Sequence, residues 1–299
     1  MSSQEGLSEE NCPLVTVIIA SYNHAPYIEA SILSVLKQSY PHIELLVIDD
    51  GSTDDSVQRI LRLQKEYGFD FRQQQNIGLS RTLNGAIERA SGGLIVPFGS
   101  DDIMLPQRIE QQVTYIKDKP EVGICAANID LIDAHGQLYP EKQQKHRYLP
   151  FRRLNFEDLF LDLKPGPMAA TLMFRREALL RVGCFDPSIR LEDLYITLKI
   201  TQAGYYIDIL DEVLALYRKH ESNTYKNLPF MVENVLKTYE RFSDHPAYGQ
   251  VKTQFLNSMF LKASSRNKPL ARALLRDIPI QAWTRKTVRG LLRLMVPTH

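Results

Sequence analysis

Cysteine is scarce: Cys12, Cys125 and Cys184 are odd in number, far apart and without a Cys-x-x-Cys pair. That argues against a disulfide framework or a structural zinc site, and it favours a reducing compartment. Long apolar runs are lacking as well, since no stretch approaches the roughly 20 residues needed to span a bilayer. The opening segment, Met1–Cys12, is polar and acidic, unlike a secretory leader. Internal repeats and low-complexity tracts are also missing. The expectation is a cytoplasmic protein with one large domain and an appendage.

What the chain has instead is charge unevenly spread. Its net charge is +1, yet residues 226–299 carry 13 Lys/Arg against 4 Asp/Glu, leaving 23 against 31 for residues 1–225. A balance of +9 beside −8 implies an anionic partner for the C-terminal part, a membrane surface or a charged acceptor. Within residues 283–296, Arg285, Arg289 and Arg293 share one helical face, Trp283, Val288, Leu291, Leu292 and Met295 supply apolar surface, and no acid follows Asp277. That pattern fits a helix lying on anionic lipid at the inner face of the membrane, with Trp283 near the headgroups. It equally fits a helix packed on the protein with its basic side in water. Gly290 suits neither well. No nucleic-acid partner is expected.

Strand and helix alternate over the first 120 or so residues. Leu14–Ala20, Glu44–Ile48, Phe69–Arg72 and Leu94–Phe98 read as strands; Pro26–Gln38, Ser56–Tyr67, Leu79–Ala90 and Pro106–Asp118 read as helices. This predicts an α/β fold, a mostly parallel sheet with helices on both faces. Further strands are expected at Val122–Leu131, Leu172–Phe174 and Glu212–Tyr217, with a polar excursion over residues 136–150 and a helix over Glu192–Ala203. From Lys226 onward only helices are expected. The predicted division is 1–224 and 225–299.

Three acidic stations punctuate that order: Asp49-Asp50 and Asp101-Asp102, each just after a strand, and Glu192-Asp193 at a helix start. Strand C-termini converge on the ligand crevice of an open α/β sheet, so the first two pairs should face one site. Clustered carboxylates repel one another unless a cation or polar ligand is shared. The constellation points to metal-dependent chemistry on a nucleotide-containing substrate. Read by themselves, Asp50 also suits a turn before a helix, and Glu192 and Asp193 suit the positive end of a helix. If Glu192 and Asp193 are helical, their side chains diverge by about 100° and only one can aim at a substrate.

The runs Val17–Asn23, Ser34–Tyr40 and Val47–Asp54 resemble the opening of family 2 glycosyltransferases. The likeness continues through Asn76-Ile77-Gly78, Asn84-Gly85, Ala90-Ser91-Gly92 and Gly99-Ser100-Asp101-Asp102, then Gly183–Asp186, Glu192-Asp193, Tyr217–His220 and Asn223. It implies a GT-A fold and inverting transfer of one sugar from a nucleotide diphosphate, UDP or dTDP, with rhamnose as the sugar family habit suggests. The implied donor contacts are Ala20, Tyr22, Asp50, Arg81 and Asp101, with Asp50 accepting from the nucleobase. Mg²⁺ or Mn²⁺ would be held by Asp101, Asp102 and His220, and Asp193 would be the general base. Arg81 also fits a solvated helix face, and His220 a structural role. Gly99 stands where the family often has a first Asp. The implied acceptor is a lipid-linked saccharide or lipopolysaccharide core, in bacterial cell-surface polysaccharide synthesis.

Three other functions fit the sequence less well. A sugar-nucleotide-forming nucleotidyltransferase would show a Gly-rich loop with Arg and Lys after the first strand, and Ser21-Tyr22-Asn23-His24 is unlike it. A catalytically inactive binding protein on the same fold has only Gly99 in its favour. A processive synthase would carry Gln-x-x-Arg-Trp, which this chain lacks.

Overall fold

The computed structural model describes residues 12–221 and 223–295. The stretch before Cys12, and Val296 at the end of the basic segment, lie outside the described residues. In chain order the elements are β1 (Val15–Ser21), α1 (Ile28–Leu36), β2 (Ile43–Asp49), α2 (Ser56–Tyr67), β3 (Asp70–Gln73), α3 (Leu79–Arg89) and β4 (Leu94–Gly99). There follow β5 (Ile103–Met104), α4 (Arg108–Ile116), β6 (Val122–Ile132), β7 (Arg152–Leu154), α5 (Phe156–Phe160), β8 (Met173–Arg175), α6 (Arg176–Arg181), α7 (Glu192–Gln202) and β9 (Tyr206–Arg218). The last four are α8 (Leu228–Glu240), α9 (Tyr248–Ala263), α10 (Lys268–Arg276) and α11 (Arg285–Met295). The chain divides into two compact units between His220 and Glu221.

In the first unit one sheet runs β3-β2-β1-β4-β8-β6-β9-β5, with β7 added alongside β9. The strands β3, β2, β1 and β4 are mutually parallel, and β6 is parallel to β9, while β8, β5 and β7 pair antiparallel. Alternate residues of β1 feed opposite layers. Val17 and Ile19 pack with Ile28, Ile32, Ile60 and Ile109 from α1, α2 and α4. Ile18 packs with Leu83, Ile87, Leu179 and Ile196 from α3, α6 and α7. Both faces are therefore covered, which is why the strand is an unbroken apolar run. Each such side chain contributes roughly 1.5–3 kcal/mol on burial, so a charge at Ile18 or Ile19 would undo β1.

β1 has β2 on one side and β4 on the other, so the strand order reverses beside it. Ala20 and Gly99 end side by side there. That reversal, at the strand C-termini, opens a crevice. β9 is longer than the expected Glu212–Tyr217, and β5, β7, α5 and α6 add elements the sequence pattern does not show. The polar excursion is pinned by the buried Gln144, whose Oε1 accepts from Leu131 N–H at 2.7 Å and whose Nε2 donates to Leu131 O at 3.0 Å.

In the second unit, Leu228, Val232, Leu256, Phe260, Ala271 and Leu274 share a core. Asn227 and Asn267 cap α8 and α10, accepting from Phe230 N–H and Leu270 N–H at 3.1 Å each. Gly290 lies against Phe260 of α9: a Cβ there would stand 2.4 Å from Cε1. The glycine that weakens α11 as an isolated helix is what lets it seat. Among the described residues no helix is long and apolar enough to cross a membrane.

Candidate functional site

Beyond β1 the chain is pegged to the loop beyond β2. Asn23 takes a left-handed conformation (φ 53°), which Asn tolerates better than most residues. Its N–H donates to Ser52 Oγ at 2.9 Å and its Oδ1 accepts from Thr53 N–H at 2.8 Å. His24 N–H donates to Ser56 Oγ at 3.1 Å, and Ala25 N–H to Asp54 Oδ2 at 3.0 Å. These bonds deliver the half-buried His24 ring to the end of β4, where Nδ1 lies 2.7 Å from Ser100 Oγ.

Asp101 and Asp102 follow. Asp101 Oδ2 lies 2.8 Å from His220 Nε2. One ligating atom from each of His24, Asp101 and His220 lies within 4.8 Å of the others. Asp102 is outside that cluster. Its carboxylate is 4% exposed and its Oδ1 accepts from the N–H of Arg218, the last residue of β9, at 2.8 Å. Arg218 Nε donates to Asp101 O at 2.7 Å and its guanidinium lies 4.9 Å from the Tyr27 ring centre, so it clamps the acidic turn from behind.

The two carboxyls split in proton affinity. Burial pushes Asp101 up, but the hydrogen bond from His220 and the charges of His24 and His220 more than offset it, leaving Asp101 below the usual carboxylate value. Burial and then the Asp101 charge push Asp102 well above that value, against the pull of Arg218. Burial lowers His24 below the ordinary imidazole value, and the Asp101 charge only partly counters it. A carboxylate that ionises readily beside two imidazoles is a donor set that fits a divalent cation. The absent Cβ of Gly99 matters here, because it would stand 2.9 Å from Asp101 Oδ1 and 3.0 Å from Asp102 Oδ2.

A cavity of about 220 Å³ opens on this turn, and Ala20, Asp101, Asp102, Glu192 and Asp193 are among the residues that line it. Both members of the second pair line it, although only one was expected to. They are the first two residues of α7. Asn84 positions the approach to α7: its Nδ2 donates to Phe185 O at 2.8 Å and its Oδ1 accepts from Phe185 N–H at 3.0 Å. Burial, then the Asp193 charge, raises the Glu192 carboxyl to about 8. Burial also raises Asp193. Both carboxyls therefore hold a proton more readily than ordinary acids, an arrangement suited to proton exchange.

The other expected residues are placed differently. Asp50 is 4% exposed and its carboxylate is engaged by Gln74 Nε2 at 2.8 Å, Ile77 N–H at 3.0 Å and Gly78 N–H at 2.9 Å. It therefore holds the loop before α3. Asp49 is buried as well and accepts from Ser52 N–H and Oγ at 2.8 and 2.6 Å, closing the turn. Tyr22 is half exposed and does not line the cavity. Arg81 is exposed on α3, Nη1 donating to Ile77 O at 3.4 Å, and does not line the cavity. His24 is the residue the sequence reading does not single out; its signal is a histidine a few residues past the C-terminus of the central strand.

The family model described as glycosyl transferase family 2 matches residues 16–183, more than half of the chain. The O-antigen biosynthesis glycosyltransferase WbnJ of Escherichia coli is 27% identical over 228 residues, 72% of this chain and 83% of that relative. Among solved structures, S. aureus TarS 1-349 in complex with UDP-GlcNAc superposes with a TM-score of 0.68 at 19% identity, covering 90% of this chain and 82% of that one. The mannosyltransferase PcManGT of Pyrobaculum calidifontis, in complex with GDP-Man and Mn²⁺, gives 0.62 at 18% identity, covering 94% and 85%. These likenesses establish the GT-A fold.

Proposed function

Since the chain belongs to glycosyl transferase family 2, we propose that it transfers one sugar, with inversion, from a UDP- or dTDP-sugar to a lipid-linked saccharide or lipopolysaccharide core. Rhamnose is the sugar to try first. The observation that carries the reading is the presence of two carboxylate pairs, Asp101-Asp102 and Glu192-Asp193, in the lining of one cavity at the reversal of strand order.

Asp193 takes the proton of the acceptor hydroxyl as that oxygen bonds to the anomeric carbon. The bond from that carbon to the diphosphate breaks, and the nucleotide diphosphate leaves with the electron pair. Protonated Glu192 keeps the base singly charged. Asp101 and His220 would hold a divalent cation, Mg²⁺ or Mn²⁺, with Asp102 and Arg218 fixing the turn behind them. When bound, that cation neutralises charge on the departing diphosphate. Ala20 forms the floor, Tyr22 offers its ring to the base, and Asp50 shapes the base-side loop, with an Oδ2 lone pair left for the base itself. Arg81 reaches a donor phosphate only by leaving Ile77 O.

An acceptor in bacterial surface-polysaccharide synthesis, the role named for the Escherichia coli relative, would lie at the inner face of the cytoplasmic membrane. α11 supports peripheral contact there. It seats on α9 through Thr287 and Gly290 and leaves Val288, Leu292 and Met295 exposed beside Arg285, Arg289 and Arg293. Titration calorimetry with UDP, dTDP and GDP, with and without Mn²⁺, tests the donor site. Metal-supported binding of UDP or dTDP that disappears in Asp101→Ala supports the reading; a folded protein that binds none of the three refutes it.

A further inference from the structure

We propose that His24 is a direct ligand of the bound cation, and that the His24–Asp101–His220 set selects a transition-metal ion over Mg²⁺. This rests on the cation site proposed above and names its third protein ligand and its preference. The donor atoms of the three residues lie within 4.8 Å of one another, and the ligands of one six-coordinate ion at about 2.1 Å stand roughly 3 Å apart when adjacent. Asp101 Oδ2 and His220 Nε2 already meet that spacing at 2.8 Å.

Two features make His24 more than a neighbour. The first is a missing oxygen donor. Gly99 brings no side chain, and the close approach of the Asp101 and Asp102 carboxylates to the place of its Cβ leaves little room for one. Asp102 is turned toward Arg218 N–H. The strand-end turn thus offers one well-placed carboxylate, and the remaining donors come from other loops. The second is preorganisation. Four hydrogen bonds tie residues 23–25 to the loop beyond β2, and the Nδ1 contact with Ser100 Oγ fixes the ring. A polar partner on one ring nitrogen is how a ligating imidazole is commonly oriented. Two imidazoles and one carboxylate suit first-row transition ions, whereas Mg²⁺ prefers all-oxygen surroundings.

The test is metal binding by the full chain with UDP present, read by calorimetry and by electron paramagnetic resonance of Mn²⁺. Expected for the unaltered protein are Mn²⁺ binding at least about tenfold tighter than Mg²⁺ and nitrogen couplings from two imidazoles. His24→Asn should weaken Mn²⁺ by at least about 10-fold, the loss that even a residue behind a ligand commonly causes, and should leave one imidazole coupling. His24→Asp, which restores an oxygen donor, should narrow the gap between Mn²⁺ and Mg²⁺. Mn²⁺ binding lost in Asp101→Ala but unchanged in affinity and couplings by His24→Asn overturns this inference alone. Absence of Mn²⁺ binding in the folded, unaltered protein overturns it together with the cation site on which it depends.

Discussion

Two pairs of adjacent acids line one cavity, and they resolve the same electrostatic problem in opposite ways. Asp101 and Asp102 are supplied with partners from β9 and the segment just past it: the His220 imidazole for one, the Arg218 main-chain N–H for the other. Asp101 is thereby kept ionised. For Glu192 and Asp193 burial dominates: it lifts both, and the Asp193 charge helps raise Glu192 to about 8. One pair is arranged to keep negative charge and the other to exchange a proton. The lesson is that a pair of acids in sequence has no fixed chemistry until its partners are known.

The strongest way to break this contrast is at the proton-exchanging pair. Asp193→Asn should lower kcat by about 10³- to 10⁴-fold while leaving metal-supported nucleotide binding intact, which calorimetry on the same sample would check. Asp101→Ala should lose that binding and slow transfer by about 10²- to 10³-fold; intact nucleotide binding would show that the two pairs are not specialised. Gly99→Ala probes the charged pair more gently. Its Cβ forces both carboxylates to give by a few tenths of an ångström, and a rate loss of about 10-fold with normal thermal stability is expected.

Glu192→Gln sharpens the contrast with the smallest change. It copies the protonated form, so the rate at pH 7 should stay near that of the unaltered protein, while the break near pH 8 in the rate profile disappears. Stability provides a second readout. Folding raises the Glu192 pKa from an ordinary 4.5 to about 8, so the folded state holds an extra proton between those values. Its contribution is complete at acid pH and is lost as pH rises through about 8. Melting temperatures from pH 6 to 9 should therefore fall less steeply in Glu192→Gln.

How much of this could be read beforehand depended on whether neighbours in sequence carried the signal. β1, β2 and β4 are short, largely apolar runs rich in Val, Ile and Leu and are legible as strands. β5 and β7, at two and three residues, are too short to show a period. The first half of β9 is hidden by Asp208, fully buried in the strand because Arg153 and the Tyr115 hydroxyl meet its carboxylate at 2.7 to 2.8 Å. At the site, strand ends and a helix start point to Asp101, Asp102 and Asp193. His24 is one histidine in a loop, and its companions come from the ends of β4 and β9, so no local pattern announces it. Asp50 shows the converse. Its place after a strand suggests an open carboxylate, but three donors from residues 74–78 close around it.

Arg108 bears on how such a sequence can diverge. The side chain is entirely buried under the crevice, donating to Gln112 Oε1 at 3.0 Å, Ala170 O at 2.6 Å and Leu172 O at 3.2 Å. Ala170 and Leu172 themselves line the cavity. Lysine cannot reproduce a planar fork with several donors, and an apolar residue would strand those carbonyls. Descendants of this chain should therefore inherit Arg108, Gln112 and the 170–172 backbone as a block. New acceptor preferences would then arise elsewhere in the lining, around Leu79, and seldom on that floor.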